Sequence, residues 1–163
     1  MPVTFPSEAF FEALAAAMAA AHEEFRALGF FDATIGIRVL PDGGEGAGRA
    51  FVLGFEVFEC TRVEEVQGVA PAAVDFVLSG RLAAWRAMLE NVRAHGGADV
   101  AHSINTLTHF GEQLTLEYAD PDGHDKLYRF AESVQRFFDL AARLDGIVWD
   151  GTGAGAARTA EAR

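Results

Sequence analysis

The residues with most chemistry to offer are His95, His102 and His109, spaced seven apart. Imidazole is the commonest metal ligand, but ligands sharing one metal on a helix usually sit at i and i+3 or i+4, and a spacing of seven separates them by about 10 Å. Gly96-Gly97 interrupts any helix they could share, so no metal is expected. Asp75 breaks the apolar run Val74 to Leu78 and would suit a general base if it were enclosed with a raised pKa. An unpaired buried carboxylate is costly, which favours the solvent side of a sheet. Cys60 has no neighbouring histidine in sequence and no Gly-x-Ser-x-Gly elbow occurs, so nucleophilic catalysis lacks local support; the thiol reads as a buried one. Gly44-Glu45-Gly46-Ala47-Gly48 and Gly151-Thr152-Gly153-Ala154-Gly155 look like phosphate loops, but neither follows a strand and opens a helix, so they read as hairpin and linker.

His102, Asn105 and His109 lie in the segment Ala101 to Phe110, which mixes small polar with apolar residues. That mixture suits a pocket wall holding an apolar body and a polar head, and it equally suits an ordinary capped connector.

The elements that must position these residues follow from periodicity. Ser7 caps a helix running to about Leu28, with Phe11, Leu14, Met18, Ala21, Phe25 and Leu28 as its apolar stripe and Gly29 as its stop. Ile35, Ile37 and Val39 alternate along a strand, and a return strand carries Phe51, Leu53, Phe55 and Val57 on one face. The other face of that return strand is also fairly apolar, which makes it a central strand. Thr61 to Val66 and Ala73 to Leu78 supply two more, and four consecutive strands imply an antiparallel sheet. Ser79 is expected to cap a second helix bearing Leu82, Trp85, Met88, Leu89 and Val92, ended by Gly96-Gly97. Leu114, Leu116 and Tyr118 form a fifth strand, Asp120-Pro121-Asp122-Gly123 a turn, and Asp125 to Leu144 a last, strongly aromatic helix. The reading gives one α+β domain, residues 1–146, followed by a flexible tail over 147–163, though Ile147-Val148-Trp149 could dock back onto the body.

Composition bounds the partners. The formal charge of −11 opposes a phosphate backbone or an anionic leaflet, so neither nucleic acid nor stable membrane insertion is expected. A single cysteine suits a reducing compartment, and Glu8 and Glu12 replace the basic region of a signal peptide, which together point to a cytoplasmic protein. The 14 Phe residues are many for this length and either line a cavity or fill the core.

The order of elements and certain words resemble the sterol carrier protein 2 (SCP-2) family, in its small stand-alone bacterial form. The resemblance runs from Phe5-Pro6-Ser7 to about Leu144. It is carried most by Asp75-Phe76-Val77-Leu78-Ser79-Gly80-Arg81-Leu82-Ala83-Ala84-Trp85, by Gly111-Glu112-Gln113-Leu114-Thr115-Leu116, and by Ala98-Asp99-Val100-Ala101-His102-Ser103-Ile104-Asn105-Thr106-Leu107. It implies a five-stranded, mainly antiparallel sheet with helices on one face. It also implies a hydrophobic tunnel between the layers that binds sterols, fatty acids or fatty-acyl-CoA without chemical change. Family members often carry a more basic surface near the lipid entrance; this acidic chain therefore favours a steroid or neutral lipid over acyl-CoA.

The expected function is thus carriage of a sterol, steroid or fatty acid, with no cofactor and no catalytic group. Phe55, Phe76, Trp85, Met88, Leu89, Phe130 and Phe137 are expected to contact the apolar body, and His102, Asn105 or His109 a hydroxyl or keto group. The cavity is expected between the sheet and the helices carrying Trp85, Phe130 and Phe137. The alternative is a small α+β cone enzyme, isomerase-like or hydrolase-like, using Asp75 and a histidine as acid and base on a hydrophobic substrate. A partner-binding subunit with an apolar groove is a third reading, and a homodimer is left open.

Overall fold

Ser7 sits in extended backbone and its hydroxyl oxygen accepts the amide hydrogen of Phe10 at 3.0 Å, which starts helix α1, Glu8–Ala20. The computed structural model describes residues 1–43, 46, 48–109 and 113–150. Gly44, Glu45 and Ala47 of the expected hairpin loop, Phe110, Gly111 and Glu112 after the connector, and the tail from Gly151 to Arg163 lie outside the described residues.

The single long first helix is in fact two. Ala21 leaves helical geometry, with φ −101° and ψ 31°, and α2 follows over His22–Leu28. Phe11, Leu14, Met18, Ala21 and Phe25 nonetheless stay on one buried face. Strands β2, Ala33–Leu40, β3, Arg49–Glu56, and β4, Glu59–Val66, come next, preceded at the N-terminus by the short β1, Val3–Phe5. In β3 the alternate residues Phe51, Leu53 and Phe55 face the main core, while Ala50 and Val52 join a small cluster with Val69 and Val77 on the opposite face.

The next strand corrects the expectation of four antiparallel neighbours. β3 already has β2 and β4 on its two sides, so the chain crosses through residues 67–75, with one 3-10 turn at Pro71–Ala73, to the vacant edge of β2. There β5, Phe76–Arg81, runs parallel to β2, pairing Ile37 with Leu78. Ser79 consequently lies inside the ladder, opposite Arg38 and Thr115, and caps nothing. Helix α3, Leu82–His95, is capped instead from just beyond the end of the neighbouring strand β2: Asp42 accepts the amide hydrogen of Ala83 at 2.8 Å.

After a 3-10 turn at Val100–His102 come α4, Ile104–His109, and β6, Leu114–Glu117, which is antiparallel to β5. The expected turn at Asp120 to Gly123 is the start of a helix. Asp120 accepts from the amide of Asp122 at 2.9 Å and Pro121 takes the first helical position, where its missing N–H costs nothing, so α5 spans Pro121–Arg129. Phe130 breaks the helix, and α6, Ala131–Asp139, continues into a 3-10 turn, Leu140–Arg143. Gly123 is required where α5 meets the sheet: a Cβ there would lie 1.9 Å from the carbonyl oxygen of Asp75.

The result is an α+β fold with a five-stranded, mainly antiparallel sheet, ordered β4-β3-β2-β5-β6, and helices packed on one face. Past position 146, β7, Ile147–Trp149, pairs in parallel with β1, so this triplet is a strand docked on the body. Between helices and sheet lies a dense aromatic core. Phe5, Phe10, Phe11, Phe25, Phe31, Phe51, Phe76, Phe137, Phe138 and Trp85 are all buried, with ring separations such as 4.3 Å for Phe31–Phe55 and 5.0 Å for Phe55–Phe137. Among the described residues, no helix is long and apolar enough to cross a membrane.

Candidate functional site

Between the sheet and the Trp85 helix, where a cavity is expected, the described side chains pack closely. Trp85 is fully buried, its ring lies 5.6 Å from that of Phe138, and its indole N–H donates to the carbonyl of Arg38 at 3.2 Å. Met88, Leu89, Phe55, Phe76 and Phe137 are likewise closed in by neighbours, because large rings from α1, β3 and α6 interdigitate there. Phe130 is half-buried at the joint between α5 and α6, its ring 5.5 Å from Phe31.

Open volume lies at the other end of the helical layer, where α4 meets α5 and α6. A cavity of about 340 Å³ is walled by Ile104, Leu127, Ala131, Tyr128, Asn105 and Gln135, among others. Leu127 and Ile104 are buried, and the small Ala131 leaves the space that a longer side chain would occupy. Its polar members are largely engaged by the protein itself. Gln135 accepts from the amide of Ile104 at 2.7 Å and donates to Asp139 at 2.9 Å, while the Ser103 hydroxyl donates to the carbonyl of Val100 at 3.1 Å. Glu132 lies 3.9 Å from Arg136, and Asn105 stands exposed at the rim. The wall is therefore effectively apolar, in keeping with small-molecule sites that combine apolar lining with a few polar groups.

Tyr128 separates this cavity from a second one of about 510 Å³, bordered by His109, His124, Tyr118, Thr108, Thr115 and Leu116. Here four rings follow one another. His109 is 5.3 Å from Tyr128, His124 4.9 Å from Tyr128, and Tyr118 5.1 Å from His124. The Tyr128 hydroxyl lies 3.1 Å from Nε2 of His109.

Of the polar residues expected at the site, Asn105 borders the first cavity and His109 the second. His102 borders neither. Its Nδ1 lies 2.7 Å from Asp99, and this hydrogen bond, assisted by Asn91, holds the Asp99 carboxyl below its usual range. His95 is engaged with the carbonyl of Asn91 at 3.0 Å. Asp75 accepts from the amide of Thr34 at 2.8 Å and pairs with Lys126 at 3.2 Å, so its carboxylate ties the sheet to α5. Cys60 is half-buried on β4, and burial pushes its thiol pKa up to about 11.

Sequence reasoning did not single out Leu127, Tyr128, Ala131, Gln135 or His124 as site residues. A usable signal existed for two of them, since His124 and Tyr128 stand at i and i+4 and share a helix face.

These features define a sheet covered on one face by helices, with paired cavities at one end of the helical layer. Among solved structures, this fold is similar to the crystal structure of sterol carrier protein 2, at 21% sequence identity and a TM-score of 0.63, covering 85% of this chain and 97% of that one. It is also similar to the solution structure of a conserved hypothetical protein, possibly a sterol carrier protein, from Thermus thermophilus, at 21% identity and a TM-score of 0.60, covering 86% and 89%. The fold is SCP-2-like. No protein-family model and no curated sequence matches the chain.

Proposed function

We propose that this protein binds and carries an apolar small molecule, a sterol, steroid or other lipid, without changing it chemically, and that the body of the ligand lies between α4, α5 and α6. The observation that carries this reading is the apolar-walled cavity of about 340 Å³ in an SCP-2-like fold, one of whose structural neighbours is described as sterol carrier protein 2. Hiding a few hundred Å² of apolar surface at about 25 cal/mol per Å² yields on the order of 8 to 10 kcal/mol before association costs, enough for micromolar affinity. No acid–base pair is needed, and Asp75, engaged with Lys126 and Thr34, does not favour the enzymatic alternative. The half-buried single thiol is consistent with work in a reducing cytoplasm.

The test is displacement of a solvatochromic dye such as Nile red by cholesterol, palmitate and dodecanol, with Ala131→Trp as the blocking variant. Wild-type protein is expected to bind at least one of the three at micromolar concentration, and the variant at least tenfold more weakly. Absence of binding by all three, or equal binding by the variant, would overturn the assignment.

A further inference from the structure

Resting on that reading, the second cavity bears on the charge of the ligand's end group. In the first cavity the polar atoms of Gln135 and Ser103 are committed within the protein, so the wall offers the ligand mainly hydrocarbon. At about 340 Å³ it sits near the lower limit of small-molecule sites, about 300 to 1,000 Å³. A ligand that reaches past Tyr128 gains the neighbouring 510 Å³.

What that second space offers is rings. Tyr118 follows β6, His124 and Tyr128 stand one turn apart on α5, and His109 ends α4, so three elements build one wall. From Tyr118 through His124 and Tyr128 to His109 the ring centres follow at 5.1, 4.9 and 5.3 Å, with successive planes tilted by 64°, 54° and 58°. The face of an aromatic ring is electron-rich and attracts a cation within about 6 Å of its centre, whichever way the hydroxyl hydrogens point. Tyr118 and Tyr128 are 43% and 37% exposed, so the space opens to water and a charged group can rest there without losing its whole hydration shell.

The charges nearby act in the same direction. Among the described residues lining either cavity there is no lysine or arginine, while Glu132 borders the first and the Asp125 carboxylate lies 3.6 Å from Nδ1 of His124. The two cations of α5 are engaged elsewhere: Lys126 pairs with Asp75 at 3.2 Å and Arg129 lies over the Phe130 ring at 5.7 Å. The net charge of −11 draws a cation and repels a carboxylate.

We infer that the ligand is a cationic amphiphile, a long-chain amine whose apolar chain occupies the first cavity and whose substituted ammonium group rests against the rings of Tyr118, His124 and Tyr128. A weakly hydrated ammonium suits ring faces best, and an alcohol of the same chain length gains little from them.

The test compares dodecyltrimethylammonium, dodecanol and laurate, all below micelle-forming concentrations, as competitors of Nile red at about pH 8.5, where imidazole is ordinarily neutral. The proteins are wild type, Tyr118→Phe, Tyr118→Leu and His124→Leu; neither substituted residue borders the first cavity. Wild-type protein is expected to prefer the ammonium over the alcohol by about fivefold, within the range of cation–ring contacts at a partly exposed site. Each leucine variant is expected to bind the ammonium about threefold more weakly with dodecanol unchanged, and Tyr118→Phe, which keeps the ring, to behave as wild type. Three results overturn the inference and leave lipid binding standing: no preference for the ammonium in wild-type protein, equal weakening of ammonium and alcohol in the leucine variants, or a preference those variants keep in full, which is general attraction to an acidic protein. Failure of all three competitors on wild-type protein overturns both.

Discussion

The helical layer has two ends that solve packing differently. Around Trp85 the side chains are large, rigid and mutually enclosed, with Phe137, Phe138, Met88 and Leu89 buried to within 1%. Around Tyr128 the layer is built from short helices carrying Asn105, Thr108 and Ala131, with Ser103 just before α4, and cavities of about 340 and 510 Å³ remain there. The clustering of phenylalanine with tryptophan in this chain therefore marks where the protein is solid. The open volume borders side chains that are small or hydroxylated, which do not span the gap between the elements around it.

The contrast can be broken at the solid end first. Trp85→Ala removes a fully buried ring, and a loss of about 3–5 kcal/mol in urea unfolding is expected, without selective loss of ligand affinity in the fraction that remains folded. A smaller loss, about 1–3 kcal/mol, is expected for Gly123→Ala, whose Cβ would press on the Asp75 carbonyl and push α5 off the sheet. The open end sharpens the comparison. Ala131→Trp, expected to weaken ligand binding at least tenfold, is expected to change unfolding free energy by less than about 1 kcal/mol, since it fills existing space.

The smallest effect is chemical. The Cys60 thiol packs against the closed half, and its pKa of about 11 against an ordinary 9.0 makes the thiolate about a hundredfold scarcer below pH 9. Alkylation by iodoacetamide at pH 8 should be slower in native than in urea-unfolded protein by at least that factor. The sign for stability is the matching one. The unfolded thiol ionises first, so stability is lost as pH rises from about 9 through 11. Equal native and unfolded labelling rates would show that this half is not closed.

Local chemistry made much of the fold legible. Ser7 and Gly29 mark the ends of the first helical segment, Gly96 ends α3, and the alternation in β2 and β3 revealed both strands and their core faces. What stayed hidden depended on distant partners. The cap of α3 comes from Asp42, forty-one residues before Ala83, so the serine nearest the helix was the natural but mistaken choice. The parallel placement of β5 follows from which sheet edge was vacant, a property of no single segment. The candidate cavity was legible only in part. Asn105 and His109 were named for their chemistry, but the void between α4, α5 and α6 arises from how three short helices meet. Taking Asp120 to Gly123 as a turn also hid the face that His124 and Tyr128 share.

The pairing of β1 with β7 imposes an order of events on biosynthesis. Val3 is matched with Ile147, Phe5 accepts from the amide of Asp150 at 2.8 Å, and the Phe5 ring lies 5.8 Å from Trp149. The first strand of this domain to leave the ribosome is therefore among the last to find its neighbour. At roughly 5–20 residues per second, on the order of ten seconds separate the two emergences. During translation the Phe5 side chain must wait against α1 alone, and the nascent chain cannot latch shut until nearly the whole domain has cleared the exit tunnel.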